Sequence, residues 1–356
     1  MDDRSRALLA SAGIVLVFVV VQLGALAVVD PLEAGGNQFV EDTSDPTISV
    51  LYVVAILVMT GLMLAAFRLG VDALIRGFVV FSGAYISLFV FRAVLPAVVT
   101  VDVAGTPVAV LAWLGAIAIG VALWVYPEWY VIDAAGIVMG IGAAGLFGIN
   151  FGILPALVLL AVLAVYDAIS VYGTEHMLTL ASGVMEMRVP IVLVVPLTLS
   201  YSFLEDVPDP AKEGDDEQTD QDGTDGQVGS NGPGVAATAN GGTDSGGASE
   251  GFELDREALF IGLGDVVIPT VLVASAAFFV GEVPSVALGG LSVGLPAAGA
   301  MVGTLLGLVV LLYMVLQGRA HAGLPLLNGG AIGGYLVGAL TGGLTLVEAL
   351  GLTGLF

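Results

Sequence analysis

Stretches of about twenty apolar residues recur nine times along this 356-residue chain, near 8–29, 49–70, 76–98, 105–126, 130–149, 152–172, 258–280, 293–316 and 324–347. A helix of that length crosses the roughly 30 Å hydrocarbon core of a bilayer. Lipid offers the backbone no hydrogen bonds, so runs of this kind fold as helices that satisfy themselves. The expected fold class is therefore an all-α polytopic membrane protein of about nine spans. A charged fraction of 12%, where about a quarter is usual in soluble domains, agrees. The first run follows Arg4 and Arg6 like a secretion signal, but its length and the lack of a clean small-x-small cleavage site read as a retained helix.

One more apolar stretch, 189–203, is too short to span comfortably. It is rich in β-branched residues and split by Pro190 and Pro196, which favours an extended or interfacial segment. Basic residues supply a check. With the N-terminus inside, nine spans leave Arg4, Arg6, Arg68, Arg76, Arg188, Lys212, Arg256 and Arg319 on the cytoplasmic side, and only Arg92 lies elsewhere, within the third span. If 189–203 crossed the membrane, the last three would move outside, against the positive-inside rule. Between 204 and 257 the chain turns to Asp, Glu, Gly, Ser, Asn and Thr and buries too little to order itself. The expected organisation is a six-helix part with its extended segment (1–203), a disordered acidic cytoplasmic loop (204–257) and a three-helix part (258–356).

Several function classes drop out. The chain has no cysteine, so no thiolate nucleophile, disulfide or cysteine metal site. A net charge of −23 disfavours nucleic acid as a partner. His176 follows Glu175 without an HExxH pattern, so no zinc site or other metal or cofactor is expected. Gly140 and Gly142 have no strand before them, which removes a nucleotide loop. Spacings such as Gly329-x-x-x-Gly333 and Gly334-x-x-x-Gly338 suit close helix packing. Arg92 and Asp133 are read as snorkelling or locally paired charges without a catalytic role.

Two aspartates remain inside spans, where an ionisable group is costly and points to function. Asp167 lies about five residues above the cytoplasmic end of the sixth run, and Asp265 about seven residues into the seventh. At 1.5 Å per residue both fall about 8–10 Å inside the same face, on antiparallel neighbours. Two carboxylates facing each other in a low dielectric share a proton, the working state of an aspartic protease. Depth alone leaves a second reading open: a polar pair that glues helices or binds a cation.

The neighbouring residues carry a resemblance. Tyr166-Asp167 in one span and Gly262-Leu263-Gly264-Asp265 in the next, separated by a long polar loop, resemble the presenilin and signal-peptide-peptidase family of intramembrane aspartyl proteases, archaeal presenilin-like members above all. The span count and inside N-terminus match it too. The family's Pro-Ala-Leu motif at the start of the last helix corresponds here to Pro325-Leu326-Leu327, with leucine in place of the alanine. The resemblance implies peptide-bond hydrolysis inside the membrane by Asp167 and Asp265, with water as nucleophile and no metal. Tyr166, Gly262, Gly264, Pro325, Leu326 and Leu327 would line the substrate site. The substrates would be transmembrane helical proteins, peptides or signal peptides, with no accessory subunit required by the sequence. It further implies that 189–203 takes on an extended substrate as an added strand. The protein would sit in the cell membrane with the N-terminus and the loop 204–257 cytoplasmic. The alternatives are a secondary transporter or cation-permeation protein with paired aspartates, and a prepilin-peptidase-type enzyme, which also uses a GxGD.

Overall fold

The computed structural model describes residues 3–40, 47–68, 72–95, 100–103, 106–173, 192–196, 258–281, 283–288, 290–317 and 322–352. The acidic segment 204–257, the two ends of 189–203, His176 and His321 lie outside these residues. Among the described residues, nine helices answer to the nine apolar runs: α1 (Asp3–Ala34), α2 (Thr47–Arg68), α3 (Asp72–Val94), α4 (Val110–Val125), α5 (Trp129–Asn150), α6 (Ile153–Gly173), α7 (Leu263–Phe279), α8 (Leu295–Leu316) and α9 (Gly323–Thr341). Six of them, α1, α3, α5, α6, α8 and α9, are long and apolar enough to cross a membrane. The other three hold shorter apolar stretches, Val50–Leu62, Val110–Val125 and Leu263–Phe279. A four-residue helix, α10 (Leu346–Ala349), follows the last span.

Three expected spans begin too early. The residues before α4, α7 and α8 are strands, and each closes an antiparallel ribbon: β1 (Thr100–Val103) with β2 (Thr106–Ala109), β3 (Val192–Pro196) with β4 (Ala258–Gly262), and β5 (Ser285–Leu288) with β6 (Leu291–Gly294). A short apolar run has no period that separates a buried strand from the first turn of a helix. The last span also ends sooner than its apolar run. Gly343 takes φ 94° just past α9, a conformation open to glycine and closed to most side chains.

The core has two main parts. Leu160 of α6, Leu272 of α7, Ala297 of α8 and Tyr335 of α9 belong to one. Phe18 of α1, Leu193 and Leu259 of the β3–β4 ribbon, Leu308 of α8 and Leu327 of α9 belong to the other. Outward faces carry large apolar side chains such as Leu57 and Leu62 on α2 and Leu306 and Tyr313 on α8, which suits lipid as solvent. Arg76, near the start of α3, donates to the Trp124 carbonyl at 3.0 Å and lies over the Trp124 ring, tying the beginning of α3 to the end of α4.

The tightest helix pair is α8 with α9, where backbones meet directly. A β-carbon added at Gly299, Gly303 or Gly307 would collide with the carbonyl oxygens of Gly334, Gly330 and Leu326, and one at Gly330, Gly334 or Gly338 with those of Gly303, Gly299 and Leu295. Gly329 and Gly333, expected at a helix contact from their spacing, face open space instead. Gly334 and Gly338, expected on the same ground, do make the contact, together with Gly330, in the row one residue further along that is turned toward α8.

Candidate active site

The ribbon β3–β4 delivers one of the two aspartates. Strand β4 stops at Gly262, whose φ −62° and ψ 132° are still extended, and the next residue opens α7. Asp265 is thus the third residue of a helix, in its first turn, and helical rise from 258 does not describe its depth. Asp167 comes from the last two turns of α6. Both are buried, with 2% of Asp167 and 7% of Asp265 exposed, in a bundle where few side chains carry charge.

Both carboxylates converge on the start of α9. The Leu324 N–H donates to Oδ2 of Asp167 at 3.1 Å. A β-carbon on the preceding residue, Gly323, would stand 3.7 Å from Oδ2 of Asp265. Adjacent residues of one helix start therefore stand against the two aspartates. Leu324 is free to donate there because the first N–H groups of a helix have no intrahelical acceptor. Asn328, one turn along α9 and fully buried, donates to the Leu160 carbonyl of α6 at 2.9 Å. That bond pins α9 to α6 two turns from Asp167.

The other sequence-derived residues separate into two groups. Gly262 lies against Asp265, since a β-carbon there would be 3.4 Å from its Oδ2, and Gly264 is exposed with room around it. Pro325 is half-buried in the first turn of α9. Tyr166 turns outward, 44% exposed on α6. Leu327 is fully buried in the core and presents no surface to a substrate, and Leu326 packs partly against that core. The backbone at Leu326 nevertheless approaches α8 closely, because Gly307 of α8 lies against the Leu326 carbonyl. Sequence reasoning passed over Gly323 and Leu324, whose contributions are a missing β-carbon and a backbone N–H. It also read Asp133 as snorkelling or paired locally, whereas its partner is distant in the chain. Its Oδ1 accepts the Val194 N–H of β3 at 2.7 Å.

A bundle of apolar helices that brings two buried carboxylates to one helix start defines a class, the integral membrane proteins with paired intramembrane aspartates. The family described as signal-peptide peptidase, presenilin aspartyl protease matches residues 15–344. Two solved structures of a presenilin family intramembrane aspartate protease are similar to it. The one in space group C222 is 32% identical, covers 93% of this chain and 99% of its own, and superposes with a TM-score of 0.57. The one in space group P2 is 31% identical, with 92% and 97% covered and a TM-score of 0.56. Comparison with curated proteins gives no match. The chain belongs to the signal-peptide peptidase and presenilin family. It is an integral membrane aspartic protease, which rules out the transporter alternative.

Proposed function

We propose that Asp167 and Asp265 are the catalytic pair of this protease and that it cuts peptide bonds in transmembrane segments near the cytoplasmic face. The convergence of both carboxylates on Gly323 and Leu324 carries the reading. One carboxylate, ionised, takes a proton from a water molecule, whose oxygen adds to the scissile carbonyl carbon. The other, protonated, donates to the carbonyl oxygen as charge develops there. Collapse of the tetrahedral intermediate breaks the C–N bond, and the leaving nitrogen takes the proton the base acquired. With Oδ2 of Asp167 held by Leu324, its other oxygen is left for water.

A helix hides its peptide bonds, so a substrate has to unwind where it is cut. The β3–β4 ribbon, which runs into Asp265, offers an edge on which the unwound stretch lies as a further strand. Gly262 and Gly264 keep that approach clear of side chains, Pro325 shapes the opposite wall, and Tyr166 meets the helix as it arrives through lipid. The N-terminus and the acidic loop 204–257 lie on the same cytoplasmic side, and the chain works without an accessory subunit.

The test is purified protein alone in liposomes with a fluorogenic single-span helical peptide. Wild type should cut it, Asp167→Asn and Asp265→Asn should each lose cleavage, and the rate should fall on both sides of a pH optimum, because one carboxyl must be ionised and its partner protonated. Cleavage by either Asn variant at the wild-type rate would remove the pair from the chemistry.

A further inference from the structure

The β3–β4 ribbon has two outer edges, and a strand could in principle add to either. In an antiparallel pair, successive residues alternate between exchanging hydrogen bonds across the ladder and pointing their N–H and C=O groups outward. Val194 is opposite Phe260, yet its N–H goes to Asp133 on α5, so 194 and 260 form an outward-pointing pair. The same parity makes Val192 with Gly262, and Pro196 with Ala258, outward-pointing pairs.

The two edges are then unlike. On β3, the central outward N–H is taken by Asp133 and the next position, Pro196, has none. Helix α5 also packs along this strand. On β4, the outward positions Ala258, Phe260 and Gly262 all keep an N–H, and the last lies three residues before Asp265. Charged side chains aimed at an edge, and proline on it, are the devices by which proteins stop strands from adding.

We infer that Asp133 is a positioning residue: it closes the outer edge of β3 and so commits an incoming substrate strand to the outer edge of β4, in line with Asp265. The inference rests on the substrate lying along the ribbon as a strand. Asp133 is no part of the catalytic pair. It acts through β3, fixing which edge is open and the register in which β4 meets the bond to be cut.

The experiment follows the liposome assay by mass spectrometry, so that the bonds cut are read along with kcat and KM. Asp133→Ala should lower kcat by roughly ten- to a hundredfold with KM within about twofold, and spread the products over neighbouring bonds. Asp133→Asn keeps an oxygen acceptor for the Val194 N–H and should restore the wild-type product set. Pro196→Val, which returns an outward donor to β3 while leaving Asp133 in place, should broaden the products on its own. It decides the matter if Asp133→Ala does not fold. A folded Asp133→Ala with wild-type kcat and products would overturn the inference, as would Asn acting like Ala, or an unchanged product set in Pro196→Val. Asp167→Asn and Asp265→Asn in the same assay keep the two readings apart. If they are dead while Asp133→Ala is unchanged, the catalytic pair stands and only the edge assignment fails.

Discussion

The tripeptide Gly-Leu-Pro opens two helices of this protein and has a different duty in each. Gly294-Leu295-Pro296 starts α8 as it leaves the β5–β6 ribbon, and Gly323-Leu324-Pro325 starts α9 between the aspartates. Neither helix has a side-chain cap at its start. In both, the proline lacks an N–H and the leucine N–H has to find an acceptor outside the helix. At α8 that acceptor is the Pro284 carbonyl at 2.9 Å, a backbone bond that closes the ribbon onto its helix. At α9 it is Oδ2 of Asp167 at 3.1 Å. One local solution to helix initiation is structural where a carbonyl answers it and, in the mechanism proposed above, takes part in chemistry where a carboxylate does.

The largest expected effect separates charge from hydrogen bonding at the second start. Asp167→Asn should cost roughly 10³-fold or more in kcat, since an amide is neither acid nor base, while its oxygen still accepts from Leu324. Asp167→Leu should be equally inactive but also less stable than the Asn variant by about 1–3 kcal/mol, the cost of a buried N–H left unpaired. Equal melting temperatures for the two would show that the Leu324 bond contributes nothing to holding α9.

The seam between the two helices comes next. Gly303→Val forces a side chain against the Gly330 carbonyl and should destabilise by about 1–3 kcal/mol or prevent folding, whereas Gly329→Val, facing open space, should stay within about 0.5 kcal/mol. Thermal melts in one detergent decide it, and a reversed order would mean the glycine rows are assigned to the wrong faces.

The prolines sharpen the contrast further. Pro296→Ala should lower stability by about 0.4–1 kcal/mol through chain entropy and leave kcat alone. Pro325→Ala should have a similar stability effect and also lower kcat by roughly three- to tenfold, because the Leu324 N–H loses its fixed placement. Matching kcat for both would erase the distinction between the two starts.

The smallest effect is at a third start, α10, which has the capping box the other two lack. Thr345 donates through its N–H and its hydroxyl to Glu348 at 2.8 Å, and these bonds hold the Glu348 carboxyl below its ordinary range. A depressed carboxylate contributes stability above its unfolded value, near pH 4.3, and loses it as pH falls through the lower folded value. Glu348→Gln should therefore lower Tm slightly at neutral pH, with the difference shrinking as pH falls below about 4.3 and vanishing below the lower folded value. A difference that persists in acid would point to packing instead.

Much of this was legible in the residues. Among the described residues each of the nine apolar runs holds a helix, and the extended reading of 189–203 agrees with β3 over 192–196. The strand β4 was not, because Ala258 to Ile261 is as apolar as a helix and its partner lies more than sixty residues away. The glycines of α9 come in adjacent pairs, 329 with 330 and 333 with 334, so spacing alone admits two rows and only the neighbouring helix selects one. Asp167 and Asp265 announced themselves because charge in a span is rare. Leu324 could not, since it contributes a group every residue but proline possesses. Asp133 was visible as a charge, but what it binds is set by a strand far along the chain.

The glycine seam has a mechanical consequence. Where backbone touches backbone there are no rotamers to yield, so α8 and α9 cannot creep past each other by small amounts. The next position at which glycines again oppose carbonyls lies four residues along, about 6 Å away. The seam behaves as a ratchet with widely spaced stops, and the tip of α9 is clamped at one of them. On the proposed mechanism, room for an arriving helix is made by movement elsewhere in the bundle, with α8 and α9 held together beside the aspartates.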